Sequence, residues 1–168
     1  MSSQSKSKMD ISFDIYNDKG DQIRIALSYY DIESLQAFTN DPLTLSLVFY
    51  DVTLVRISGE DTVGYKTLKA ICDVLFRFMK ENDNVVLCFY CDDLTDVVRH
   101  HIELTPQEYR SRLFSRMFDM YIKTEDVIGI VNYGIKIVDD GTPRYAHFIT
   151  PEKYLPAVRL LGNIIMDK

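Results

Sequence analysis

The chain has 168 residues, enough for one domain with a sizeable core, and its 46% apolar and 26% charged residues are ordinary for a globular protein. The net charge of −6 disfavours nucleic-acid or membrane-surface binding as the main role, because both favour a basic surface. No apolar run approaches the roughly 20 residues of a membrane span, and the polar N-terminus lacks the apolar core of a signal peptide. With three cysteines, an odd and small set, the sequence favours a cytoplasmic protein with free thiols.

The N-terminal part of the chain predicts a tail and a hairpin. Residues 1–9 are rich in Ser and Lys and have nothing to bury, which is typical of a disordered tail. Apolar and polar residues alternate over residues 11–16 and 23–29, on either side of a turn at Gly20. This period of two predicts an antiparallel β-hairpin.

The next segment changes character twice. Residues 31–42 are ambiguous, and we expect a loop with one helical turn. Strand-like alternation resumes at Leu43 and changes phase at Tyr50, which predicts a bulge or two short strands. Residues 62–81 separate apolar and charged faces at helical spacing, which predicts a helix packed on a sheet, capped by Asp61 or Thr62.

The second half of the chain supplies further elements. Val85 to Tyr90 form an unbroken apolar run, typical of a central strand buried on both faces. Thr105-Pro106-Gln107-Glu108 is a capping box that starts a helix to about Ile122. Ile128 to Val138 and Arg144 to Ile149 predict a second hairpin. Thr150-Pro151 resembles a further helix start, although Pro156 requires that helix to begin later or to bend.

Together these elements predict a single α+β domain over residues 10–168. The expected architecture is a mainly antiparallel sheet of about six strands, with three main helices packed on it. The order β-β-β-α-β-α-β-β-α shows no internal repeat and no run of βαβ units.

This order resembles that of a small bacterial family known as a domain of unknown function. Members have a central strand ending in an acidic step, like Cys91-Asp92-Asp93, and then an arginine-containing helix, like Arg110 to Tyr121. A closing hairpin and helix follow, like Thr142 to Asp167. The resemblance implies an α+β fold, a cytosolic bacterial origin and no known activity or catalytic residues.

The central strand and its end hold candidate chemistry. Cys88 and Cys91 are spaced C-x-x-C, but residues three apart on a strand point to opposite faces, so core cysteines are favoured over a redox or metal pair. Asp92, Asp93 and Asp96 follow directly, and carboxylates at a strand end could hold Mg²⁺ or serve as acid and base, with His100 nearby. The alternative, which we favour, is that these residues end the strand and cap a short helix.

The helix after residue 105 carries three arginines of interest. Arg110 falls in the middle of the apolar arc of the helix, so it either pairs with the Asp92, Asp93 and Asp96 cluster or extends its head to solvent. Arg112 and Arg116 are four residues apart and could clamp an anion, or could simply form surface ion pairs with Glu108 and Asp119. In this pattern Ser111 and Ser115 belong to the solvent-facing half of the helix.

Two functions follow from these patterns. The favoured one is a small protein-interaction or regulatory module of the immunity, antitoxin or accessory type, with a protein partner or a homodimer and no catalytic activity. The alternative is an enzyme acting on a phosphate or other anion, with Asp92, Asp93 and His100 as its centre and Arg110, Arg112 and Arg116 as clamps. Phosphate-binding loops and H-E-x-x-H motifs are absent from the sequence, so no cofactor or metal is predicted.

Overall fold

The computed structural model describes residues 10–32, 42–59, 64–91 and 104–166, which form an α+β fold. The predicted tail at residues 1–9 and most of the ambiguous segment at 31–42 lie outside this range. The strands are β1 (Ile11–Tyr16), β2 (Gln22–Tyr30), β3 (Val48–Arg56), β4 (Val85–Cys91), β5 (Ile130–Asp139) and β6 (Thr142–Pro151). The helices are α1 (Pro42–Leu45), α2 (Tyr65–Glu81), α3 (Pro106–Thr124) and α4 (Leu155–Met166), the last preceded by a 3-10 turn at Glu152–Tyr154.

The six strands form one sheet in the order β1-β2-β3-β4-β6-β5. Only β3 and β4 run parallel to each other, while every other neighbouring pair is antiparallel. The predicted sheet of about six mainly antiparallel strands is therefore confirmed, as are the three main helices α2, α3 and α4. None of the described helices is long and apolar enough to span a membrane.

Helices cover both faces of the sheet, which explains why β4 lacks polar alternation. On one face, the cores of α2 and α3 pack on alternate β4 residues, with Leu75 and Phe118 near Leu87. On the other face, α4 packs on the sheet through residues such as Leu161, near Val86. We call these the α2/α3 face and the α4 face. The predicted central strand, buried on both faces, is confirmed.

The phase change in the third strand has the same cause. Leu47 and Phe49 pack on the α4 face, whereas Tyr50 and Val52 pack on the α2/α3 face. The register between β2 and β3 runs without interruption from Tyr30↔Phe49 to Ile23↔Arg56, so the prediction of a bulge or two short strands is wrong. Apolar residues change phase because the sheet is covered on both sides at this point.

Two predicted element boundaries are wrong for local reasons. The segment from Leu43 does not begin as a strand, because Pro42–Leu45 forms a short helix in which Ser46 N–H donates to the Pro42 carbonyl at 3.2 Å. Proline suits a first helical position, where its missing N–H costs nothing. Helix α2 begins at Tyr65 with Gly64 as its N-cap, later than the predicted start at residue 62, and the predicted capping residues Asp61 and Thr62 lie outside the described residues.

The N-terminus of α3 and both hairpins agree with the sequence prediction, whereas the N-terminus of α4 lies later than Thr150. Thr105 caps α3, its Oγ1 accepting from Glu108 N–H at 3.3 Å, which confirms the predicted start. Thr150 does not cap a helix, because its hydroxyl donates to the Pro151 carbonyl at 3.1 Å. Helix α4 begins at Leu155, just before Pro156, as the proline requires. Both predicted hairpins, β1–β2 and β5–β6, are confirmed.

Candidate functional site

The acids and histidine proposed as a centre lie outside the described residues. This applies to Asp92, Asp93, Asp96 and His100, and so to the possible pairing of Arg110 with the acids. Arg110 itself is half-buried on α3, in agreement with its position near the apolar arc. Its predicted partner stays a prediction.

Arg112 and Arg116 lie on the exposed side of α3, where they line an open groove of about 570 Å³. Arg112 Nη2 donates to Glu108 Oε1 at 3.0 Å, so this arginine has the surface ion pair that its helical spacing predicts. Ser111, Ser115 and Lys123 line the same groove. The two arginines are therefore close together on the surface, and their use as an anion clamp stays a prediction.

The C-x-x-C cysteines point to opposite faces of β4, as strand geometry predicts. Cys88 packs toward the α4 face, while Cys91 is fully buried. Burial raises the pKa of the Cys88 thiol to about 12. A thiol that stays protonated at neutral pH is a poor nucleophile and a poor metal ligand.

A compact apolar pocket opens on the α4 face beside Cys88. Its volume is about 240 Å³, and its walls are almost entirely apolar and aromatic. Strands β2 to β6 and helix α4 all contribute to it. The lining residues are Tyr30, Ile32, Phe49, Asp51, Cys88, Tyr90, Ile135, Ile137, Ala146, Phe148 and Leu161.

One charged group, Asp51, lines this pocket. Its side chain is half-buried, and burial raises the pKa of the carboxyl above its usual value, although a hydrogen bond from the Val52 backbone acts in the opposite direction. Within the described ranges, no Lys, Arg or His pairs with this carboxylate. A carboxylate that is partly removed from water without a compensating cation is destabilised, and it marks this pocket as a candidate binding site.

Four aromatic residues line the same pocket as Asp51: Tyr30, Phe49, Tyr90 and Phe148. Tyr30 and Tyr90 are 48% and 44% exposed, so both rings are accessible to a ligand that enters the pocket. Phe49 and Phe148 meet edge to face deeper in the pocket, with ring centroids 6.2 Å apart. The pocket thus combines a carboxylate with the negative faces of several aromatic rings.

The backbone explains why a pocket forms here. The parallel register between β3 and β4 covers four residue pairs and ends at Asp51↔Cys88, although β3 continues to Arg56 and β4 to Cys91. A crevice at the carboxyl ends of parallel strands is a recurrent place for ligands in α/β proteins. The one signal for this pocket in the sequence is Asp51, an acid inside an apolar strand.

A second group of polar side chains is buried under α3, on the opposite face of the sheet. His147 of β6 is only 3% exposed. Its Nε2 lies 2.8 Å from Ser111 Oγ, and its Nδ1 lies 3.2 Å from Asn132 Oδ1 and 3.5 Å from Ser115 Oγ. Burial lowers the pKa of the imidazole, while the charge of Asp119 raises it by a smaller amount.

This cluster corrects the predicted orientation of α3. Ser111 and Ser115 were expected to face solvent, but they are half-buried and contact His147, whereas Leu113 and Met120 are exposed. Gln107 is buried as well, its Nε2 donating to the Pro143 carbonyl at 3.2 Å, so the buried side of α3 differs from the predicted one. The spacing of Gln107, Ser111 and Ser115, each four residues apart, is the sequence signal for this polar strip.

No three His, Cys, Asp or Glu side chains within the described ranges are grouped so that they could hold a metal ion. No family model matches the chain, and a search of the curated proteins finds no match. The resemblance to a small bacterial family therefore stays a prediction.

Proposed function

We propose that the protein binds a small organic amine in the apolar pocket on the α4 face, beside the end of the β3–β4 pairing. The carrying observation is Asp51, a half-buried carboxylate with no basic partner among the described residues. An ammonium group placed beside it would replace the lost hydration and supply a charge-assisted hydrogen bond. The apolar walls would bury the rest of the ligand.

The aromatic rings favour a cation over a neutral ligand. Tyr30 and Tyr90 line the pocket, and a ligand cation over the face of such a ring gains about 0.5–2 kcal/mol. The volume of about 240 Å³ lies below the roughly 300–1,000 Å³ typical of sites for drug-sized ligands. An amine with one ring or a short alkyl chain fits this combination of charge, aromaticity and size.

Calorimetry with phenethylamine tests the proposal, with phenethyl alcohol as the uncharged probe of the same shape. We expect the amine to bind and the alcohol to bind at least about tenfold more weakly, because a hydrogen bond between charged groups contributes about 1.5–3 kcal/mol. Asp51→Asn should lower amine affinity by a similar factor. Asp14→Asn is the matched control, since Asp14 is an exposed partner of Arg24 away from the pocket.

Equal affinity for amine and alcohol would contradict the charge-based proposal, as would unchanged amine binding by Asp51→Asn. Chemical shifts of Tyr30 and Tyr90 ring protons give a second readout, because the ligand must contact these rings. Shifts confined to residues of another surface would place the ligand elsewhere.

A second candidate, a protein-interaction module, is favoured by the length of an edge strand. β5 has ten residues and pairs with β6 on one side, and the described chain places no strand on its other side. An exposed strand edge is a template for pairing with another chain. A second copy of the chain is the simplest partner, which agrees with the predicted homodimer.

Light scattering of the full chain at increasing concentration tests this candidate. Val138→Lys places a charge at the exposed end of β5, where the valine is 64% exposed, and should shift any dimer toward monomer. Leu160→Lys on α4 is the control, because that leucine is also exposed but lies on a helix. A strictly monomeric wild-type protein at about 100 µM, well above the micromolar range of ordinary dimers, would contradict homodimer formation.

A further inference from the structure

Three side chains from three elements form a chain of hydrogen bonds under α3. Ser111 Oγ lies 2.8 Å from His147 Nε2, and His147 Nδ1 lies 3.2 Å from Asn132 Oδ1. We propose that this is a second, hydrolytic site, in which Ser111 is the nucleophile, His147 the general base and Asn132 the orienting group, and that it cleaves small carboxylic esters carrying an anionic group.

The hydrogen bonds fix which nitrogen of His147 carries the proton. Asn132 Oδ1 can only accept, so Nδ1 is the protonated nitrogen, and the amide Nδ2 of the same residue donates to Ser115 Oγ at 3.4 Å. His147 Nε2 then has a free lone pair toward the Ser111 hydroxyl. A nucleophile, a base within hydrogen-bond reach and a third group that orients the base are the parts required for an activated serine.

The neighbour of the His147 ring on β5 is a glycine, which leaves room for the ring against the sheet. Gly134 is the register partner of His147, and a Cβ at Gly134 would lie 3.1 Å from His147 Cε1 and 3.2 Å from Nδ1. The glycine therefore lets the imidazole lie close to the β5 backbone. Burial lowers the pKa of His147, which keeps the ring neutral and able to accept a proton at pH 7.

Ser111 is accessible from the outer side of the cluster. Together with Ser115 it lines the open groove on α3, which also contains three cations, Arg112, Arg116 and Lys123, and one acid, Asp119. Of these cations Arg112 has an acidic partner, Glu108, while Arg116 and Lys123 have none in the described chain. Arg116 and Lys123 together outweigh the single acid of the groove, Asp119, and this excess of positive charge favours an anionic substrate. The same charge would stabilise the oxyanion, because the N–H groups inside α3 are already used within the helix.

The reaction needs only the ester and water. Ser111 Oγ would attack the ester carbonyl carbon while its proton passes to His147 Nε2. The bond to the leaving alcohol then breaks as the alkoxide takes that proton, which leaves an acyl group on Ser111. Water adds to the acyl carbonyl, giving a proton to His147, and the bond to Ser111 breaks as that proton returns to Oγ, releasing a carboxylic acid.

Covalent labelling with a fluorophosphonate probe, followed by peptide mass spectrometry, tests for the activated serine. We expect labelling at Ser111 that is lost in Ser111→Ala and changes less than about twofold in Ser12→Ala, which alters an exposed serine on β1 that is not part of the groove. General-base activation typically contributes about 10²–10⁴-fold, so labelling should exceed that of the urea-unfolded chain by at least about a hundredfold. Circular dichroism of each variant shows whether it is folded.

The pH profile of the wild-type protein gives a readout that needs no substitution. Labelling should be constant near pH 7–8 and decline below the pKa of His147, with Asp119 as the nearby charged group that opposes the decline. Hydrolysis of p-nitrophenyl succinate should exceed that of p-nitrophenyl acetate if Arg116 and Lys123 attract the substrate. Folded wild-type protein that labels no faster than its unfolded chain, or labels at a residue other than Ser111, would overturn the proposal.

Discussion

The hydroxyl of Tyr121 on α3 donates a 2.6 Å hydrogen bond to Oδ1 of Asp73 on α2. It joins the two helices that cover one face of the sheet. Burial, followed by the hydrogen bond and charge of Asp73, raises the pKa of Tyr121, so the hydroxyl stays protonated and available as a donor. The Tyr121 ring also packs on Phe76, with centroids 4.8 Å apart, which fixes the direction of the hydroxyl.

Tyr121→Phe should lower the free energy of unfolding by about 1.5–3 kcal/mol, because it removes a hydrogen bond to a charged group and leaves the ring packing intact. Urea titration followed by circular dichroism measures the change. Tyr65→Phe is the control, since Tyr65 also lies on this face but is 54% exposed. An equal decrease in the free energy of unfolding in both variants would show that the hydrogen bond to Asp73 does not contribute to stability.

Asp51→Asn should stabilise the ligand-free protein at neutral pH while it weakens amine binding. The folded-state pKa of Asp51 is raised above the usual 3.8, so the carboxylate destabilises the fold wherever it is ionised. The increase in the free energy of unfolding caused by Asp51→Asn should be absent below pH 3.8 and should grow as pH rises through the folded-state pKa of Asp51. Urea titrations of both proteins across this range measure it, and a gain that is independent of pH would contradict the assignment to ionisation.

His147 should make the fold sensitive to mild acid. The pKa of His147 in the folded state lies below the usual 6.5. The contribution of the neutral imidazole to the free energy of unfolding is therefore complete above pH 6.5 and is lost as pH falls through the folded-state pKa. The stability of wild-type protein relative to His147→Gln should then decrease by at most about 1.4 kcal/mol per pH unit, the limit for one proton. A difference that stays constant between pH 8 and 5 would show that protonation of His147 does not affect folding.

The thiols of Cys72 and Cys88 should resist alkylation in the folded protein. Burial is the main cause that raises the pKa of each to about 12, from a usual 9.0. The thiolate fraction at pH 8 is then roughly a thousandfold lower than for a free cysteine. Iodoacetamide labelling followed by mass spectrometry should modify both residues only after unfolding in guanidinium, and fast modification of folded Cys88 would show that the pocket exposes its sulfur.

Two glycine substitutions should have opposite effects on stability. Gly134→Ala puts a Cβ 3.1 Å from His147 and should cost about 1–3 kcal/mol, a typical penalty for overpacking. Gly162→Ala places its Cβ 3.7 Å from the Tyr133 ring, an ordinary contact, and should stabilise α4 by up to about 1 kcal/mol through helix propensity. Thermal unfolding of the two variants measures both, and a shift of the same sign in both would contradict this account.

The sequence predicted the fold well because its signals were local and consistent. The sequence signals for the Thr105 cap, for the buried strand from Val85 and for the turn at Gly20 each depend on a few neighbouring residues. The errors arose where tertiary packing overrides the local pattern. Phe49 and Tyr50 are both buried because helices cover both faces of the sheet, a fact that no single strand contains.

The candidate sites were harder to predict because they join residues far apart in the chain. Asp51 and Cys88 become neighbours only through the parallel pairing of β3 with β4. His147 meets Ser111 across 36 positions, and only after α3 turns its polar strip toward the sheet. The acids after Cys91 are a candidate site only because they are adjacent in sequence. Adjacency alone does not show whether a carboxylate is buried or whether a pocket lies beside it.

The short parallel register between β3 and β4 has a consequence for cooperativity. It divides the sheet into two antiparallel halves, β1-β2-β3 and β4-β6-β5, that meet along four residue pairs. The longer antiparallel registers within each half are expected to hold together while this junction opens, so it is the natural line for partial unfolding. The amine pocket takes residues from both halves, Tyr30 and Asp51 from one and Tyr90 and Phe148 from the other. A bound ligand would therefore clamp the two halves and make the whole sheet unfold as one unit.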